Sequence, residues 1–425
     1  MLERIVKTLE KLEIATWRVT RVESHTAELY FIRKRLDMPR IKQLTEYKAE
    51  VFRDFEKDGK ALRGTMDVML TSDMTDGEIS EKLQEAYAAA RYTGNPVYEL
   101  ADPVQAPCVT CTTALAALTP EEAAERMAEA MFSADTAEDA FLNSAELFVT
   151  KTNVHILAGN GLDVAYDKAT VWGEMVAQCV TPCDVEQYRG FAYDDLNTDA
   201  LREKALEAIA DVRARACTTE MPKSGKYDVL LTGEHIRTVL DYYQDRSGVG
   251  MVYPGYSDWK PGSPAQGEEI NGEKLNLTLV PTNPFSDEGI PMRRRTLLEN
   301  GTLKTIHGPT RLCRYLQVEP TGTYEKICCD NGTAPYAGMT EANVLEPISF
   351  SDFQMDSMDG HFKGEIRLAR LHLGNGRVKY VTGGSINGSL PEGQRDLVFS
   401  LERYEDSRYS GPKAMKVRGV MVAGA

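Results

Sequence analysis

An α+β fold is predicted, with an N-terminal antiparallel sheet and helices over residues 1–220 and a β-rich C-terminal domain over residues 221–425. Three observations carry this. In the first half, apolar residues recur at helical spacing behind clear start signals. Between those segments the period shortens to that of strands. Beyond residue 275, short branched or aromatic runs alternate with turn signals. A content of 42% hydrophobic and 27% charged residues supplies a sizeable core and excludes a disordered chain.

The first helix places Leu2, Ile5, Val6, Leu9 and Leu12 on one face. Between Trp17 and Leu70, stretches such as Ala27–Ile32 and Tyr47–Phe55 read as antiparallel strands, with Lys57-Asp58-Gly59-Lys60 as a hairpin turn. Thr75-Asp76-Gly77-Glu78 is a capping box, opening a helix that turns Ile79, Leu83, Ala86 and Ala90 inward. Thr119-Pro120-Glu121-Glu122 opens another, with a cap, a proline at the first helical position and acids facing the helix dipole. Ala145–Val180 is strand-like and broken at Gly159-Asn160-Gly161. Asp199–Ala216 reads as an amphipathic helix with Leu201, Ala205, Leu206, Ile209 and Val212 inward.

Met221–Lys226 reads as a linker, Tyr227–Leu231 as a strand and Glu234–Tyr243 as a helix. Gly248–Glu273 holds six glycines and three prolines, the composition of a long irregular loop that lines a site or an interface. Asn300-Gly301, Asn331-Gly332, Asn375-Gly376 and Asn387-Gly388 are read as turns between the short strands that follow.

With 64 acidic against 49 basic residues the net charge is −15, which repels phosphate backbones and argues against direct nucleic-acid binding. The run Arg293-Arg294-Arg295 is too short to reverse that. Eight cysteines are too few for a disulfide scaffold. The start Met1–Lys7 alternates charges, and no apolar run is long enough to span a bilayer. A reduced, cytoplasmic protein with no membrane contact is expected.

Chemistry is sought first at His235, beside Glu234 at a helix start. Helical zinc proteases need a second histidine one turn on, where this chain has Val239, Leu240 and Asp241. A structural His235 is therefore expected. Cys108-Val109-Thr110-Cys111 and Cys179-Val180-Thr181-Pro182-Cys183 could supply four thiolates, but structural zinc sites usually bring their halves closer in sequence. They read as ordinary core or loop residues, as do Cys328 and Cys329. His361 and His372 flank a strand with Asp359 and Glu365 nearby and lack a third aligned ligand. Gly383-Gly384-Ser385-Ile386-Asn387-Gly388 misses the nucleophile elbow by one position. Neither a P-loop nor a dinucleotide fingerprint is present.

A series of segments in the second domain carries a resemblance. These are Gly225–Leu231, Asn283-Pro284-Phe285-Ser286-Asp287-Glu288-Gly289-Ile290-Pro291, Leu297–Leu303, Pro320-Thr321-Gly322-Thr323 and Asp359–Ile366. In order and spacing they resemble the TldD/PmbA family, whose PmbA branch is also called TldE. Glu146–Val149 and the turn ending Gly159-Asn160-Gly161-Leu162 agree with it in the first domain, so the resemblance spans nearly the whole chain.

The resemblance implies a two-domain α+β protein that pairs with a second family member around an enclosed cavity. In the TldD branch an H-E-x-x-x-H helix and a C-terminal cysteine hold zinc, and the assembly cleaves unfolded or peptide substrates. Family members also carry the labels of DNA gyrase modulator and peptide maturation protein. Here the zinc helix would fall at Gly233–Asp241, where the motif is absent, and Tyr409–Ala425 contains no cysteine. Both departures resemble the zinc-less PmbA/TldE branch.

The expectation is a non-catalytic subunit with no cofactor of its own. Zinc would sit on a TldD-like partner, and the substrate would be unfolded polypeptide or peptide. Asp287, Glu288, Gly289, Gly360 and His361 are the candidates for the cavity wall, with the glycine of the Asp287–Gly289 turn allowing close backbone approach. The rivals are a stand-alone hydrolase using His235 with His361 or His372, and a peptide-binding homodimer without catalysis.

Overall fold

The computed structural model describes residues 1–425. The chain begins with α1 (Leu2–Lys11), followed by the long strands β1 (Thr16–Ile32), β2 (Arg35–Lys57) and β3 (Lys60–Leu70). The β2–β3 turn is the expected one, with Asp58 at φ 51° and Gly59 at φ 72°, the left-handed pair a two-residue hairpin needs. Next come α2 (Asp76–Ala89), the short β4 (Asn95–Pro96) and α3 (Pro120–Ser133). Both helices start from complete capping boxes, on Thr75 with Glu78 and on Thr119 with Glu122. The domain closes with β5 (Ala140–Ala158), β6 (Asp163–Cys179), β7 (Val185–Tyr193) and α4 (Thr198–Ala216).

These strands form one sheet in the order β4-β3-β2-β1-β5-β6-β7. Alternation along β1 decides which face is covered. Trp17 and Val19 sink into a core shared with α1 and α2, whereas Ala27, Leu29 and Phe31 join one shared with α3 and α4. All four helices thus lie on one face. On α4, Leu201, Ala205, Ile209 and Val212 are buried as expected, but Leu206 is 40% exposed. Asp211 takes a buried place instead, held by Arg189 of β7 at 3.0 Å.

The C-terminal domain opens with β8 (Gly225–Thr232), α5 (Glu234–Arg246) and α6 (Val249–Val252). Then follow β9 (Leu277–Val280), β10 (Arg295–Glu299), β11 (Thr302–Leu303), α7 (Thr310–Leu316) and β12 (Lys326–Cys329). Four further strands are β13 (Val344–Met355), β14 (His361–Gly374), β15 (Arg377–Val381) and β16 (Ser385–Ser389). The last are β17 (Val398–Phe399), β18 (Arg403–Glu405), β19 (Tyr409–Pro412) and β20 (Ala414–Ala423).

Strands β13, β8, β20, β16 and β14 pair in turn, and β14 pairs back to β13, closing a ring with β8 and β13 parallel. A second sheet runs β11-β10-β9-β12-β19-β18. A single apolar core joins α5 to both. Asn300-Gly301 and Asn375-Gly376 are left-handed turns as expected. The other two are not. Asn331-Gly332 lies in an irregular loop, and Asn387-Gly388 lies inside β16. A Cβ on Gly388 would come 2.2 Å from the Phe362 ring, so that glycine answers to packing across the sheet. The loop from Gly248 to Glu273 folds onto its own domain. The buried Gln266 amide donates to the Glu273 and Gln394 carbonyls and accepts from Leu275 N–H.

Candidate functional site: the interdomain cleft

The face of the N-terminal sheet opposite its helices meets the second domain at the end carrying Ile156, Val164 and Tyr166, which share a small core with Phe285 and Leu162. Phe285 begins the expected Asp287–Gly289 turn, folded by its bridge to Pro291 and by Ser286 Oγ, which accepts from the Glu288 and Ile290 N–H groups. Gly289 has φ +80°, and a Cβ there would sit 2.5 Å from Leu162 Cδ2. The close approach expected of this glycine is therefore made to Leu162 of the first domain. Glu288 Oε2 accepts from both the N–H and the hydroxyl of Thr310, and Oε1 lies 3.9 Å from Arg18. Of the three, only Asp287 is exposed, beside Tyr166.

Beyond this joint, charged and phenolic groups of both domains face one another. Burial pushes the Asp194 carboxyl above its ordinary value, Lys168 and Lys326 oppose that rise, and Glu325 and Asp406 add to it. One acid of the first domain thus shares its field with three groups of the second. Burial likewise raises the Tyr166 phenol to about 12, helped by Asp287 and Glu325. Tyr404 donates to Asp406 at 3.1 Å, and Asp406 accepts the N–H groups of Arg408 and Tyr409.

Helix α5 borders this cleft through Arg237. Its guanidinium is 5% exposed, ion-paired with Asp241 one turn on, and donates to Gln244 Oε1 and to the carbonyls of Arg408 and Glu325. Burial, then Arg408, pushes its pKa down to about 10. A fixed cation on the inner side of this helix repels a second one. Arg237 was not singled out in the sequence, although its spacing from Asp241 is a readable helical ion pair.

The histidines do not converge. The His235 ring stands edge-on to Phe350 and Phe353, at 4.9 and 5.5 Å, with Nδ1 shut off from solvent. Burial pushes its pKa down to about 4. His372 is buried on Glu346 at 2.8 Å, whereas His361 is exposed and paired with Asp359 at 3.1 Å. These two occupy opposite ends of β14, roughly 35 Å apart at about 3.3 Å per residue. Gly360 packs on Pro391 and Tyr242, at the turn into β14 that lies by the C-terminal end of α5, where Arg246 donates to Met358 O, and His361 opens the strand.

Cys108 and Cys111 flank Val109, which bridges Tyr166, whereas Cys179 ends the same strand β6, roughly 40 Å on at the same rise. No three His, Cys, Asp or Glu side chains form a metal-binding group. The five histidines with a polar partner all use a carboxylate or a carbonyl, so no nucleophile–base pair is built on one. The residues at α5 do not fit zinc. The cleft brings together charges of both signs and phenols, side chains that can hold a polypeptide by charge and hydrogen bonds. A surface depression of about 570 Å³ lies elsewhere, between α4 and Tyr380 of β15.

Residues 224–424 match the model of the PmbA/TldA metallopeptidase C-terminal domain. The whole chain superposes on TldE from Thermococcus kodakarensis with a TM-score of 0.79 at 17% identity, covering 100% of both chains. A protein from Thermotoga maritima described as a modulator of DNA gyrase gives 0.76 at 16% identity over 99% of each chain. One so described from Bacteroides thetaiotaomicron gives 0.77 at 17% identity, over 100% of this chain and 99% of that one. No curated protein sequence matches the chain.

Proposed function

The chain belongs to the TldD/PmbA family, and from that premise we propose that it is a PmbA/TldE-like, non-catalytic subunit that works with a zinc-bearing family member in cleaving unfolded polypeptides or peptides. The observation that carries this reading is the buried Arg237 guanidinium, tied to Asp241, Gln244 and two carbonyls on the helix where a TldD-like chain would carry its zinc ligands. With a single histidine on that helix, and Arg237 already holding Asp241, no ligand set for a metal ion is left there. The partner supplies the metal and the general base, and this chain supplies wall. Its cleft groups, Asp194, Glu325, Lys326 and Asp406, hold an extended substrate through charge and main-chain hydrogen bonds.

The test is to express this chain alone, and together with a family member bearing H-E-x-x-x-H, and to assay cleavage of a reduced, unfolded protein. Activity is expected only in the complex, and His235→Phe in this chain is expected to leave it unchanged. Cleavage by this chain alone, lost in His235→Phe, would support the stand-alone hydrolase instead.

A further inference from the structure

Strand β3 leaves the sheet at Leu70, opposite Tyr47 of β2. Strand β2 extends well beyond that point, paired with β1 on one side from Arg35 to Glu46 and with nothing on the other. The β1–β2 hairpin therefore projects with one open edge, a row of main-chain donors and acceptors ready to pair. Its apolar side chains are bare: Leu36, Met38, Ile41 and Leu44 are 43%, 44%, 48% and 51% exposed. Pro39 has no N–H to give, and it is tolerated at such an edge. The unbroken stretch is Arg40–Glu46.

Charge narrows what can pair there. Arg33, Lys34, Arg35, Arg40 and Lys42 outnumber Asp37 and Glu46 on the hairpin, in a chain whose net charge is −15. Arg40 and Lys42 both lean on the single buried carboxylate of Glu28, which leaves a positive excess on that face of the sheet. The alternation puts Arg40, Lys42 and Leu44 on one face and Ile41 and Gln43 on the other. A second copy of the same edge would set like charges side by side. An acidic and apolar strand satisfies both faces.

We propose that the outer edge of β2 at Arg40–Glu46 takes up an extended acidic–apolar segment of another protein as an added strand, in the lane that β3 leaves empty. Acidic side chains of the incoming strand lie on the face of Arg40 and Lys42, and apolar ones on the other face, across from Ile41. This inference stands apart from the subunit reading, because neither a metal nor peptidase activity enters its test.

The probe is a short labelled peptide alternating Glu and Val, titrated against the full chain by fluorescence anisotropy. It is compared with a Lys–Val peptide and with a Glu–Val peptide N-methylated at alternate residues. Binding is expected to weaken about tenfold or more for either control, and also for the protein variants Ile41→Pro and Leu44→Asp. Circular dichroism melts identify any variant that fails to fold, and Leu44→Asp on the exposed surface serves as the second arm. Absent binding, equal binding of the basic peptide, or equal binding of the N-methylated one overturns the proposal. So does light scattering that shows a homodimer dissolved by Ile41→Pro, since the edge would then belong to a second copy.

Discussion

Glu288 takes both hydrogen bonds that Thr310 can give, 2.7 Å from the N–H and 2.8 Å from the hydroxyl. It thereby satisfies the start of α7 from a turn 22 residues upstream, as a capping side chain does. Because its other oxygen faces Arg18 of β1, one carboxylate joins a helix of the second domain to the sheet of the first. Glu288→Ala leaves the N–H and hydroxyl of buried Thr310 without their acceptor, while Arg18 keeps Glu50, so a loss of about 1–3 kcal/mol is expected in urea unfolding. Glu288→Gln, which keeps an acceptor, loses less.

The neighbouring glycine gives a test of the same joint. Gly289→Ala puts a methyl at φ +80° and 2.5 Å from Leu162, and about 1–3 kcal/mol of destabilisation is expected from the two effects together. Leu162→Ala should recover part of it in the double variant, and a coupling of about 0.5 kcal/mol or more in the double-mutant cycle marks the contact. Strictly additive losses would place the strain in the backbone alone.

Stability is expected to depend on pH through His235. Burial lowers its folded pKa to about 4 from 6.5, so below 6.5 the unfolded state binds the extra proton and stability falls as pH falls. The contribution is fully present above pH 6.5 and lost by about pH 4, with an upper bound of about 3 kcal/mol at ~1.4 kcal/mol per unit. His235→Phe keeps an aromatic ring against the stacked Phe350 and Phe353 and should flatten that slope. Denaturant titrations of both proteins from pH 7 to 4 check it, and parallel slopes would exclude a buried neutral ring.

Arg237 should be costly to remove and replaceable only by changing its partners too. Arg237→Ala strands Asp241 and Gln244, and a loss of about 3–5 kcal/mol is expected from breaking a buried pair. Arg237→Met with Asp241→Leu removes both charges together and should regain most of that stability. Thermal melts of the two variants decide it.

Much of the fold was legible where the signal was local. The capping boxes at Thr75 and Thr119 and the turns at Asp58-Gly59 and Asn375-Gly376 depend on a few adjacent residues, and each stands where it was expected. Gly388 was misread because an Asn-Gly pair carries the same letters in a turn as beneath the Phe362 ring. Leu206 was placed inward by helical spacing, but the buried position on α4 went to Asp211 because Arg189 is there to receive it. The site was the least legible part. Glu288 with Thr310, and Asp194 with Lys326 and Asp406, are brought together only by domain packing. Arg237 looks like any surface arginine until the carbonyls of Glu325 and Arg408 close over it.

The most direct test of the subunit reading is the zinc content of this chain purified alone without chelators, measured by plasma mass spectrometry. Near-zero zinc per chain is predicted, because the one histidine of α5 is closed off edge-on against the stacked Phe350 and Phe353 rings and no three His, Cys, Asp or Glu side chains converge. About one zinc per chain that survives dialysis would contradict the account, and the chain would then have to be assayed as a peptidase in its own right.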